Sequence, residues 1–266
     1  MPARLVGTPL LHAPLAPSGA GRQSLPPIRK RLRDVKASAL IDEAMRRSIQ
    51  GTAFVALAAL GVATAHAAAS PFESGVFAEL NRFRGDPAGY ADVLAAYRPR
   101  FEGKLLIGEG GDEIDILTNE GVAAVDEAIR DLRPAKPLAR LQWGEVLARA
   151  AADHVAAQSR SGAVGHYANG RGPGERATAR GGGPYVSEDI TYGHHSPASV
   201  IQQLLIDDGV PDRGHRYSLL RQEHRYVGVA CGPHKIHRTM CVIMMSQTAD
   251  GSPPPPPVRK PAAKPR

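Results

Sequence analysis

Four short polar segments hold the residue types that could do chemistry: Gly165-His166-Tyr167, Ser187-Glu188-Asp189-Ile190, Asp207-Asp208 and Gly214-His215-Arg216. Two imidazoles with two carboxylates can ligate a divalent ion, or exchange protons with a bound substrate. Spacing along the chain leaves open whether they meet. The metalloprotease patterns H-E-x-x-H and H-x-x-E-H are missing, as are the G-x-S-x-G elbow, the phosphate loop and the dinucleotide fingerprint. By residue type alone, His166 and His215 are equally well explained as site residues and as ordinary polar ones. Asp207 and Asp208 close a helical stretch, where negative charge opposes the helix dipole. That awkward placement marks at least one of them for another task, without saying which. His154 shares an apolar helical face with Leu147 and Ala151 and reads as a core histidine, whereas His194 and His195 read as solvated. His224, His234 and His237 flank the last hairpin and suggest nothing sharper.

Positioning these segments takes helices first and strands last. Phe77, Leu80 and Phe83, then Tyr90, Val93 and Leu94, recur at helical spacing. Asp86-Pro87 between them reads as the cap and first turn of a second helix. A Gly-rich stretch leads to Thr118, expected to cap a helix running to about Leu132, with Pro134 and Pro137 beyond it. Leu141-Gln142-Trp143 enters a longer helix through Leu147, Ala151, Val155 and Gln158, ending at Gly162. Residues 162–197 are rich in Gly, Ser and Pro and are expected to be loop. A fourth helix is predicted from Ser196-Pro197 to Gly209. Alternation over Tyr226–Cys231 and Met240–Met245 predicts a hairpin turning at Gly232-Pro233. Early helices, late strands and no βαβ alternation give an α+β fold with an antiparallel sheet.

The 266-residue chain has a net charge of +7 and a pI near 9.6, but the excess sits in its flanks. Residues 1–67 hold nine Lys/Arg against three Asp/Glu, and residues 251–266 hold four against none. The remainder is slightly acidic, which removes the main support for nucleic-acid binding. Arg46-Arg47, the apolar run Ala53–Ala63 and Ala65-His66-Ala67 have the layout of a secretory signal peptide. Met45 stands directly before them. Residues 1–44 therefore read as a mis-called extension, 45–67 as the signal peptide, 70–250 as the domain and 251–266 as a Pro-rich, basic, disordered tail. No apolar run reaches the ~18–20 residues of a membrane-spanning helix. Cys231 and Cys241, the two cysteines, would pair in an oxidising compartment and stay buried thiols in a reducing one. The leader points to secretion or the periplasm, hence to pairing.

The order of these segments resembles the CAP superfamily of cysteine-rich secretory proteins, antigen 5 and plant pathogenesis-related 1 proteins, whose module is also called the SCP domain. The resemblance runs from about Phe77 to Gln247. It rests on Leu80-Asn81-x-x-Arg84-x-x-Pro87-x-x-Tyr90-Ala91, on Leu141-x-Trp143 before Ala151-x-x-His154, and on Gly165-His166. Ser187-Glu188-Asp189-Ile190-x-Tyr192-Gly193, the stretch Ile206–Arg216 and Tyr226–Gly232 complete it. It implies a three-layer α–β–α sandwich with a central antiparallel sheet, and a cleft of two histidines and two acids. His166 and His215 match the histidines, and Glu188 matches one acid. The other is Asp207, with Asp208 as the alternative. The resemblance implies zinc or another divalent cation on His166 and His215, with Glu188 also the candidate base were the protein a metal-dependent hydrolase.

Three departures stand out. Asp189 replaces the family's Asn beside Glu188, and Asp207 is a shorter acid than the Glu of animal members. Leu204 or Leu205 takes the place of a Trp. Asp189 and Glu188, as neighbours, are expected to repel and to raise the proton affinity of one. The expected function is that of an extracellular binding module. A carrier of a small hydrophobic or envelope-derived ligand, such as a lipid or sterol, and a hydrolase are the alternatives. Export dependent on Arg46 through Ala67 should leave a mature chain beginning near Ala68, which N-terminal sequencing of the exported protein reads directly. An intact cytosolic chain carrying residues 1–44 would refute the leader.

Overall fold

The computed structural model describes residues 69–108, 115–254 and 256. The expected extension at 1–44, the signal peptide at 45–67 and most of the tail lie outside the described residues. Helix α1 (Pro71–Gly85) starts on a reciprocal cap: Ser70 Oγ accepts from the Glu73 amide, and the Glu73 carboxylate accepts from the Ser70 amide. Asp86 closes α1 and caps α2 (Pro87–Tyr97) by accepting from the Gly89 amide, as predicted. A 3-10 turn at Arg98–Arg100 leads into a small antiparallel sheet of β1 (Phe101–Glu102), β2 (Leu105–Leu106) and β3 (Ile116–Leu117). Helix α3 (Val122–Leu132) begins later than expected. Thr118 does not cap it, because its hydroxyl donates to the Lys104 carbonyl and stays with the small sheet. Gly121, at φ 68°, turns the chain instead.

Strand β4 (Gln142–Trp143) enters α4 (Glu145–Ser161), which ends at left-handed Gly162 as the sequence predicts. The stretch expected to be loop contains α5 (Pro173–Ala179) and β5 (Ser187–Tyr192). Both were obscured by composition. In β5 the polar Glu188, Asp189 and Thr191 are buried alongside Ile190, so the strand lacks an apolar alternation. Helix α6 (Pro197–Ile206) is capped by Ser196 and stops before Gly209, and α7 (Gly214–Leu219) follows. The hairpin of β6 (Tyr226–His234) and β7 (Arg238–Ser246) is longer than predicted. Gly232 and Pro233 lie inside its ladder, opposite Met240 and Thr239, and the turn falls at 235–237. Pro233 is tolerated because β4 covers only Tyr226 and Val227, so β6 is an edge at that point.

The main sheet has the order β4-β6-β7-β5, antiparallel except for the short parallel β4–β6 pair. Val229, Ile243 and Met245 face one way, into a core with Val76, Leu80, Val125 and Leu205 from α1, α3 and α6. Ala230, Val242 and Met244 face the other way, against Leu147, Ala150 and Ala151 of α4. Three layers, helices either side of a sheet, bury an apolar face on each side. Gly228 sets the spacing of one pair of layers: a Cβ there would lie 2.0 Å from the Ala148 amide nitrogen, so α4 rests directly on strand backbone. Asn81 copies a strand partner, donating to the Leu141 carbonyl and accepting its amide. Among the described residues no helix is long and apolar enough to cross a membrane.

Cys231 and Cys241 are cross-strand partners with Cα atoms 4.1 Å apart, and they form a disulfide. Closing the loop they bound is expected to contribute about 2–3 kcal/mol through the unfolded chain. Urea denaturation with and without reductant measures it, and an unmoved midpoint would count against the bond having that role.

Candidate functional site

The site straddles β5, the edge strand. Because side chains alternate along a strand, Glu188 and Asp189 project to opposite faces of the sheet. Glu188 falls on the α4 face with Ile190, and Asp189 on the α6–α7 face. The histidines reach the strand from different layers.

His166 is held through the backbone of Gly165, its own carbonyl and its Nδ1. Just before it, Gly165 sits at φ 91°, a left-handed conformation suited to glycine. Its carbonyl accepts from His154 Nε2 at 2.8 Å and Gln158 Nε2 at 2.6 Å, and its amide donates to Tyr192 Oη at 3.0 Å. Tyr192 in turn donates to Gln158 Oε1. The His166 carbonyl accepts from Arg176 Nη1 at 3.0 Å. His166 Nδ1 lies 2.9 Å from Glu188 Oε1. An ionised carboxylate only accepts, so the proton sits on Nδ1 and Nε2 is left as the ligating atom. Glu188 Oε2 is ion-paired with Arg176 Nη2, and both side chains are almost wholly buried. His154 is the core histidine expected from sequence, and burial lowers its proton affinity so that it stays neutral. It also aims the loop of its more exposed counterpart.

His215 is held by one residue. Asp207 Oδ1 lies 2.6 Å from His215 Nδ1, and Oδ2 accepts the amides of His215 and Arg216 at 2.9 and 3.2 Å. Asp207 closes α6 in the left-handed region, at φ 57°. That resolves its awkward position: the carboxylate that would oppose the dipole of α6 faces the first amides of α7, where negative charge is favourable. Asp208 turns away and accepts from Asn119 and Glu120 ahead of α3. Asp207, then, is the acid that meets a histidine. Burial alone would push His215 towards neutrality, but its bond to Asp207 and the fields of Asp189, Asp207 and Asp212 outweigh it and leave its proton affinity raised.

Asp189 does not behave as its neighbourhood in sequence suggests. Burial pushes its carboxyl up to about 7, with Asp207 adding to the rise and His215, Ser218 and His166 opposing it. Burial is the largest cause; Glu188 points to the opposite face and is answered by Arg176. The expected repulsion between neighbours is thus replaced by desolvation. Asp189 nonetheless lies within electrostatic reach of both imidazoles. Among the described residues no group of three or more His, Cys, Asp or Glu side chains is gathered to hold a metal ion. What the fold offers is two carboxylate-oriented imidazoles. His194 is half-buried and His195 exposed, away from either pair's hydrogen bonds. Arg176, Gln158 and Tyr192 were missed in the sequence. The one available signal was Gln158 one turn after His154 on the same buried face.

A carboxyl that ionises more readily unfolded than folded stabilises the fold below its unfolded range and loses that contribution as pH rises through its folded value. For Asp189 the window runs from about 3.8 to about 7. Asp189→Asn removes the titration, so its thermal midpoint should gain on the parent steadily across that window and level off above it. Parallel profiles at all pH values would show that Asp189 carries no such penalty.

The sequence model of the cysteine-rich secretory protein family, CAP, matches residues 127–245, from within α3 to the penultimate residue of β7. Among solved structures, an extracellular protein containing an SCP domain from Bacillus anthracis strain Ames is 18% identical, with a TM-score of 0.35. The match covers 48% of this chain and 38% of that one, so the chain spans well under half the length of that protein. No curated protein matches the chain. The matched stretch contains both imidazole–carboxylate pairs and the disulfide, and over these residues, 127–245, the chain matches the CAP family of cysteine-rich secretory proteins.

Proposed function

We propose that this protein is an exported CAP-domain binding module that takes up a divalent cation, zinc being the best chemical match, through the Nε2 atoms of His166 and His215. The observation that carries the reading is shared by both histidines: each spends Nδ1 on a buried carboxylate and, among the described residues, keeps Nε2 uncommitted. Orienting an imidazole by a carboxylate on its other nitrogen is the usual support of a metal-binding histidine. Two imidazoles fit zinc as a partial shell, with further positions for water or for a ligand's own donor. Glu188 and Asp207 serve in this reading as orienting groups rather than ligands. The disulfide supports an oxidising destination.

A hydrolase would need an available base beside an activated water. Glu188, the candidate from sequence, has one oxygen on His166 and the other on Arg176. That favours a positioning role, and with it the module over the hydrolase.

The ligating form of each histidine is neutral, so cation and proton compete. Because His215 holds its proton more tightly than a free imidazole, the competition should set in at a higher pH than for a free imidazole. Calorimetry of metal-free protein with zinc should find binding at about pH 7.5, at least roughly tenfold weaker binding at about pH 5.5, and its loss in His166→Ala and His215→Ala. Equal binding by the parent and both variants would reject the site. Turnover of peptide or ester substrates dependent on the metal would replace the module by the hydrolase.

A further inference from the structure

Arg176 also borders a solvent-open concavity of about 480 Å³ beside the His166 pair. Its wall includes Asp153 and Ala157 of α4, Arg171 of the preceding turn, Arg176 and Ala179 of α5, and Arg180 at its end. Asp153 is the acid of this wall, and both its oxygens are taken by Arg180. The Arg171 guanidinium is exposed and enters no ion pair among the described residues. Arg176 is only 3% exposed, and its Nη atoms serve Glu188 and the carbonyls of His166 and Arg171. Its Nε has no partner. Buried donors without acceptors are rare and costly, and here the unsatisfied donor belongs to a cation lining a cavity with a second, unpaired cation.

We propose that this pocket is an oxyanion site, taking a carboxylate or phosphate borne on a small aliphatic group. The anion would bridge Arg171 and the Arg176 guanidinium, whose forked donors suit planar or tetrahedral oxyanions. Ala157 and Ala179 leave room for a methyl-sized substituent beside it. The site is independent of the cation reading, since neither Nε2 takes part. It would give a secreted module a means of holding an acidic ligand next to its histidines.

Amide NMR of the metal-free protein, titrated separately with N-acetylalanine and with inorganic phosphate, tests this. Saturable shifts are expected at Ala157, Ala168, Asn169 and Ala179, with a dissociation constant of about a millimolar or tighter and a loss of affinity on adding salt. Arg171→Gln, a change at an exposed position, should weaken binding roughly tenfold, while Arg171→Lys should retain part of it. His215→Ala, in the network that does not touch Arg176, should leave the affinity unchanged, which separates this site from the cation site. Preference between the two probes identifies which oxyanion the pocket favours. Shifts without saturation for both probes, or equal affinity in Arg171→Gln, would overturn the proposal.

Discussion

The carboxylate of Asp207 is the hinge on which the second half of the site turns. One side chain ends α6 in a left-handed conformation, caps the first amides of α7 and fixes the ring of His215. None of these can change alone. The short α7 is then secured from behind by a buried ionic lattice. Arg216, wholly buried, donates to the carbonyls of Leu205 and Ile206 and pairs with Glu127 and Asp131 of α3, while Arg213 pairs with Glu120 and Glu127. Removing one partner from such a lattice strands a buried charge, so its value lies in fixing geometry more than in adding stability.

The first half of the site is built on a different principle. His166 stands in a long connection without regular structure of its own, and it is held by side chains from α4, α5 and β5 rather than by a cap. Neutral His154, Gln158 and Tyr192 form one closed set of hydrogen bonds around Gly165, and Arg176 joins the loop to Glu188. The two histidines therefore owe their positions to separate networks in separate layers. The edge strand, whose successive acids face opposite ways, is where these networks meet.

The helices were legible wherever apolar spacing and caps agreed, as at Asp86, Gly162 and Ser196. They were less so where a turn residue had another partner, as with Thr118. Strand β5 could not be read from alternation because three of its four buried residues, Glu188, Asp189 and Thr191, are polar and only Ile190 is apolar. The hairpin's turn was misplaced because Gly-Pro is a turn signal only where the ladder cannot continue, and the free edge of β6 allows it to continue. The histidines were found through the family pattern rather than from residue type. The supporting set was invisible, since Arg176 lies in a Gly-rich stretch and its role exists only once Glu188 is folded against it. Adjacent acids in sequence suggested repulsion, yet strand pleating sets Glu188 and Asp189 back to back.

The tip of the disulfide-closed hairpin does more than end a sheet. His234 Nε2 donates to the Ala163 carbonyl, and the Lys235 amide donates to the Ser159 carbonyl. Ile236 packs beside Gly162. The hairpin tip thus grips the end of α4 and the root of the loop that carries His166, three residues further on. A covalent bond between the strands shortens the lever between the sheet and that grip. Whether Cys231 and Cys241 are oxidised becomes, at the far end of the hairpin, a question of how firmly the His166 ring is anchored.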